Sequence, residues 1–185
     1  GNWIVVREPA STQTSSATKR RKKVADPLWS LERGVVVIDI ETAGLIRDAS
    51  RVLEVAGAFV QGKTIVDTFD AVIWPGEWVL KDWRYKESIE IHKLTPEKLR
   101  DGLSAETAAG RFRDWLDVCS VDVTAYPTSY DSSFLIQDPF LVCVPKYRWV
   151  ACLMSTAIKR LGYKAKLGAL AIDLGIQRDG LAHTG

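Results

Sequence analysis

The triple Asp39-Ile40-Glu41 closes the run Gly34 to Ile40, in which every residue from Val35 onward except Asp39 is apolar. Such a run reads as a strand buried on both faces. On a strand, residues i and i+2 point to one face, so the two carboxylates project together. At the C-terminal end of a central strand they stand where open α/β sheets hold their sites. Carboxylates so placed repel unless a cation neutralises them, and hard oxygen ligands favour Mg²⁺ or Mn²⁺. With 23 acidic residues in 185, about three acidic-x-acidic triples arise by chance, so the weight rests on context. A strand-end turn with capping carboxylates is the competing explanation.

A third carboxylate, Asp131, stands in Tyr130-Asp131-Ser132-Ser133-Phe134-Leu135. This pattern sends Phe134 and Leu135 to a core and sets Asp131 at a helix N-terminus, where its attraction to the helix dipole is by itself a sufficient explanation. The chain has two histidines. His183 follows the loop Gln177 to Gly180 in a polar setting, and His92 precedes Thr95-Pro96-Glu97, where Thr95 reads as an N-cap and Pro96 as the first helical residue. A role for His92 in fixing that loop is the simpler expectation.

The elements that must position these groups alternate. Val52 to Val60, Gln61-Gly62 and Lys63 to Ile73 read as a hairpin with Gly62 in the turn. Ser104 caps a helix running to Cys119, with Ala105, Ala108, Ala109, Phe112, Trp115, Leu116 and Cys119 along one stripe. Val121 to Ala125 is a short strand. Tyr130 to Ile136, Val150 to Leu161 and Leu167 to Leu174 are helical, with Gly162 and Gly175 as C-terminal stops. The whole is an α/β domain with a mixed sheet. Trp74, Trp78, Trp83 and Tyr85, interleaved with Lys81 and Arg84, read as a loop packed over the sheet, with a base-stacking platform as the alternative.

Composition sets the frame. With 46% apolar and 26% charged residues, the chain is neither wholly disordered nor collagen-like. No apolar run approaches a membrane span, so no membrane partner is expected. Gly1 to Ala10 lack a signal-peptide layout. Cys119, Cys143 and Cys152 are too few and odd for a disulfide framework, which points to a reducing, intracellular setting. The net charge of +2 divides into +4 for residues 1–30 and −2 for the rest. Two regions follow: a basic, disordered arm over 1–30 and a folded domain over 31–185. The run Lys19 to Lys23 suits a solvated tail, a nucleic-acid arm or a nuclear-targeting signal.

Taken together, these residues resemble the DnaQ-like (DEDDh) family of 3′–5′ exonucleases. Val37 to Leu45 looks like the family's first motif, Asp-x-Glu-Thr-(Thr/Ala)-Gly-Leu, and Arg51 to Ala56 its second strand. Ile91-His92-Lys93-Leu94-Thr95 resembles Ile-His-Gly-Ile-Thr, and Asp131 to Leu135 matches Asp-x-x-Phe-Leu. Lys166 to Ala171, Leu174-Gly175-Ile176 and Ala182-His183 match the approach to the third motif. The resemblance implies a ribonuclease H-like fold, with a central mixed sheet of about five strands flanked by helices.

It also implies phosphodiester hydrolysis from the 3′ end of single-stranded DNA or RNA, with two divalent ions, Mg²⁺ or Mn²⁺. Asp39, Glu41 and Asp131 would be metal ligands, and His183 a general base. Thr42, Gly44 and Leu45 would hold the terminal nucleotide, with Leu45 wedged against its base. DNA is weakly preferred, and a polymerase is a candidate partner. The family's final aspartate would fall at position 188, past Gly185, which reads as a truncated chain. Tyr126-Pro127 replaces the family's His-Asn, Lys93 its usual Gly, and Cys152 a frequent Asp. The rival expectation is a catalytically impaired domain that kept the fold for nucleic-acid binding or interaction.

Overall fold

The computed structural model describes residues 33–173 apart from 48, 138, 145–148 and 165. The basic arm over 1–30, and His183 with the segment leading to it, lie outside the described residues.

Strand β1 (Val35–Thr42) pairs antiparallel with β2 (Val52–Gln61), and β2 with β3 (Thr64–Val72). Gly62 turns the hairpin with φ 62°, a value that glycine adopts without steric cost. On its other edge β1 takes β4 (Val123–Thr124) in parallel, giving the order β3-β2-β1-β4. The sheet is mixed, as expected, and has four strands among the described residues. Where a fifth would add, a single parallel bridge joins Val123 to Trp149. β4 is also shorter than Val121 to Ala125, ending at Thr124. The Ala125 amide bonds Thr128 Oγ1, and Thr124 Oγ1 bonds the Ala151 carbonyl.

Seven helices are described: α1 (Glu77–Lys81), α2 (Trp83–His92), α3 (Pro96–Arg100), α4 (Ala105–Cys119), α5 (Thr128–Leu135), α6 (Leu153–Leu161) and α7 (Leu167–Asp173). Ser104 Oγ accepts from the Thr107 amide, so α4 starts where its cap requires. The stripe Ala108, Ala109, Phe112 and Leu116 packs on Val36, Ile38, Ile40, Val55, Ala71 and Val123, with Phe134 and Leu135 of α5 completing the cluster. Ala105, Trp115 and Cys119 join it from the edge. Gly57 lets this helix approach the sheet: a Cβ there would lie 2.6 Å from the Trp115 ring.

From Glu77 to Tyr85 the segment is helical rather than looped, broken only at Asp82, and the aromatics from Trp74 onward divide. Tyr85 is buried, its hydroxyl donating to the Leu94 carbonyl at 2.9 Å. With Ala43, Leu53, Val79, Leu94 and Leu99 it forms a second core, against which Trp74 packs. Trp78 and Trp83 remain 53% and 62% exposed. The helical period was obscured because α2 buries Ser88 and His92 beside Tyr85, so the stripe facing inward is not apolar. None of the three cysteines is in a disulfide, and among the described residues no helix is long and apolar enough to cross a membrane.

Candidate active site

The two faces of β1 differ in kind. Ile38 and Ile40 are buried under α4, which sends Asp39 and Glu41 to the opposite face. In register, Asp39 stands beside Ala56, which stands beside Asp70, and Glu41 stands beside Glu54. An irregularity in pairing between Glu41 and Thr42 ends the regular ladder just past the carboxylates. Asp131 comes from the first turn of α5. It is not a surface charge serving the helix dipole, since it is 2% exposed.

The electrostatics of these groups follow from burial first and from their neighbouring charges second. Burial pushes Asp131 up to about 7, with the Asp39 and Glu41 charges adding to the rise and the Ile40 backbone opposing it. Glu41 is likewise raised to about 7, by burial first and then by Asp39. The surrounding protein raises Asp39 as well, although Asp39 is exposed to solvent at its strand position, and the Ile40 backbone again opposes the shift. Among the described residues none of the three carboxylates has an ion pair.

Glu54 belongs to this set and was not singled out from the sequence. Burial raises it to about 7, followed by Asp70 and Glu41. Its signal was present: one acid in the apolar run Val52-Leu53-Glu54-Val55-Ala56. Reading it required the cross-strand register that sets Glu54 against Glu41.

Next to the carboxylates lies a cavity of about 410 Å³, walled by Glu41, Thr42, Leu45 and Tyr130 and, from α2, Trp83 and Ile91. Thr42 Oγ1 donates to the Gly44 carbonyl at 2.7 Å and lies 2.7 Å from Tyr130 Oη. Having spent its one proton on Gly44, Thr42 accepts from the Tyr130 hydroxyl. Gly44 has φ 154°, and a Cβ there would meet Ser50 Oγ at 2.9 Å and Arg84 Cβ at 3.0 Å. The turn thus presents Leu45 outward, 82% exposed. Thr42, Gly44 and Leu45 lie together on one wall; His183 lies outside the described residues.

His92 fixes its loop. Its Nδ1 accepts from the Leu94 amide at 2.9 Å, so Nε2 carries the proton toward Ser88 Oγ at 3.0 Å, and Ser88 donates to the Tyr85 carbonyl. Burial, with Lys93 nearby, lowers His92 to about 4, which keeps it neutral near pH 7. Lys93 caps α2 in the left-handed conformation, φ 58°. That is why glycine suits the position in the family's pattern.

Among the described residues no three of His, Cys, Asp and Glu converge closely enough to hold a metal ion. The donor set nonetheless fits a hard cation: carboxylates only, each raised above its ordinary range and unpaired with any base among the described residues. The mixed sheet flanked by helices is a ribonuclease H-like fold. Residues 36–185 match the RNase_T exonuclease family, and the chain belongs to that family. Over 100 residues it is 29% identical to the PolC-type DNA polymerase III of Thermotoga maritima, matching 54% of this chain and 7% of that one. In structure it is similar to the nuclease domain of 3′hExo, a DEDDh family member, bound to rAMP (TM-score 0.65, 16% identity, 82% of this chain and 84% of that one). It is similar too to product-bound exonuclease I (TM-score 0.64, 16% identity), of which it matches 40% while 81% of this chain is covered.

Proposed function

We propose that this domain hydrolyses phosphodiesters from the 3′ end of single-stranded nucleic acid, using divalent metal ions. The observation that carries the reading is that Asp39 and Glu41 share the face of β1 turned away from the core, that the buried Asp131 of α5 is raised by both, and that no base neutralises the three. Asp39, Glu41 and Asp131 are the residues that would hold two ions, Mg²⁺ or Mn²⁺. Such ions stabilise the attacking and leaving oxygens of an in-line displacement.

The chain's own groups do the rest. Leu45, exposed at the cavity mouth, meets a base, and the Thr42–Gly44–Tyr130 hydrogen bonds hold its turn in place. His183 takes the proton of the attacking water, a task suited to a group that titrates near neutrality. The likeness to a PolC-type polymerase supports proofreading, and with it DNA over RNA. A reducing intracellular setting suits three cysteines that form no disulfide.

The test is degradation of 5′-labelled single-stranded DNA and RNA of one sequence, with Mg²⁺, with Mn²⁺ and with chelator. Stepwise shortening from the 3′ end that needs metal and is lost in Asp39→Ala is the expected result. Binding without shortening in either metal would replace this reading with that of an impaired binding domain.

A further inference from the structure

We propose that a second cavity, across the Thr42–Val52 loop from the carboxylates, binds a nucleotide, with its base against Trp78 and its phosphate on Arg51. The inference rests on the exonuclease reading for the source of that nucleotide. The cavity measures about 400 Å³, with Ser50, Arg51, Trp74, Trp78, Phe134 and Gln137 in its walls. That size lies within the roughly 300–1,000 Å³ of small-molecule sites.

Its chemistry is specific. Arg51 Cζ lies 5.6 Å from the centre of the Trp78 ring. Among the described residues Arg51 has no ion pair, so its guanidinium donors are available to phosphate oxygens. The indole is half exposed, and with Arg51 over one of its faces a base would stack on the other. Glu106 also lines the cavity. A di- or triphosphate would crowd that carboxylate, whereas a single phosphate matches the one guanidinium.

The cavity adjoins the catalytic one. Tyr130 lines the first and Phe134 the second; they are one turn apart on α5, with ring centres 5.1 Å apart. Between them the buried Ser50 Oγ has no hydrogen-bond partner and lies where a Cβ on Gly44 would come within 2.9 Å. The wall is thin and keeps an unmet hydrogen bond. A strand held at Leu45 can reach the second cavity with a nucleotide further from its 3′ end, and so can a released mononucleotide.

The experiment is fluorescence anisotropy in chelator, with 5′-labelled dinucleotide, tetranucleotide and octanucleotide single strands. The full chain is compared with its Arg51→Gln, Arg51→Lys and Trp78→Ala variants, each checked by thermal melting. Wild-type affinity should rise about tenfold or more with length, a gain worth one or more factors of 1.4 kcal/mol. Arg51→Gln and Trp78→Ala should lose that gain and keep dinucleotide affinity. Arg51→Lys should recover only part, because an ammonium lacks the planar fork. A free mononucleotide that competes away the gain identifies the released product as a ligand; failure to compete identifies the upstream strand. Variants that keep the gain, or a wild type that shows none, overturn the second site alone. Leu45→Ala separates the two readings: unchanged dinucleotide binding there would overturn the assignment of the catalytic cavity instead.

Discussion

The two faces of β1 are made by alternate residues of one strand and solve opposite problems. Val36, Ile38 and Ile40 are buried under Phe112 and Leu116, where every contact favours the fold. Asp39 and Glu41 face Asp131 and, through register, Glu54, where like charges are brought together at a cost. The first face makes the domain; the second is held in an unfavourable state by the first. An arrangement that stability alone would discard is the physical mark of a functional site.

The sharpest way to break this contrast is to delete one group from each face. Asp39→Ala should cost several orders of magnitude in metal-dependent hydrolysis and leave the melting temperature of the metal-free protein equal or higher, because a repulsion is relieved. Activity above a few per cent of wild type would disprove the ligand role. Phe112→Ala should do the reverse. It should destabilise by about 3–5 kcal/mol through lost contacts and a cavity, with activity per folded molecule unchanged when measured well below the melting point.

The pH dependence of stability is a milder probe. Glu41, Glu54 and Asp131 are raised from 3.8–4.5 to about 7 in the folded chain. Across that window the folded state holds protons that the unfolded state has released, so stability falls as pH rises and levels off above about 7. His92, lowered from 6.5 to about 4, acts in the opposite sense between those values, since there the unfolded chain binds the extra proton. Three carboxylates outweigh one imidazole. The melting temperature of metal-free protein should therefore decline from about pH 5 to about pH 7, and Glu54→Gln should reduce the slope by about half where His92 opposes it. A melting temperature that climbs through this range would contradict the crowding of charge.

Smaller effects sharpen the boundary between the faces. Tyr130→Phe removes the donor to Thr42 Oγ1. The expected loss is about 1 kcal/mol of stability and about tenfold in activity, as for groups that orient a ligand-bearing segment. Equal rates for the two proteins would separate Tyr130 from the site. Lys93→Gly should be the gentlest change, raising stability by about 1 kcal/mol, because Lys93 occupies a left-handed cap that costs a side-chain-bearing residue about that much. A lower melting temperature would show that the Lys93–Glu90 contact at 3.3 Å outweighs the backbone term.

The sequence by itself determined the strand that ends in Asp39 and Glu41, the hairpin at Gly62, and α4 with its Ser104 cap and apolar stripe. These follow from local periodicity and from capping, which operate over a few neighbouring residues. It placed Asp131 near the start of a helix but could not tell a dipole partner from a buried acid, because burial is decided by what packs above the residue. Nor could it find Glu54, whose significance lies in facing Glu41 across the ladder. The aromatics from Trp74 to Tyr85 show the same division. Composition marked them as packing or platform, and only tertiary contacts sent Tyr85 to the core while leaving Trp78 and Trp83 exposed at two different cavities. Charge crowding, desolvation and cavity walls are made by residues distant in the chain, so they exist only once the fold has brought those residues together.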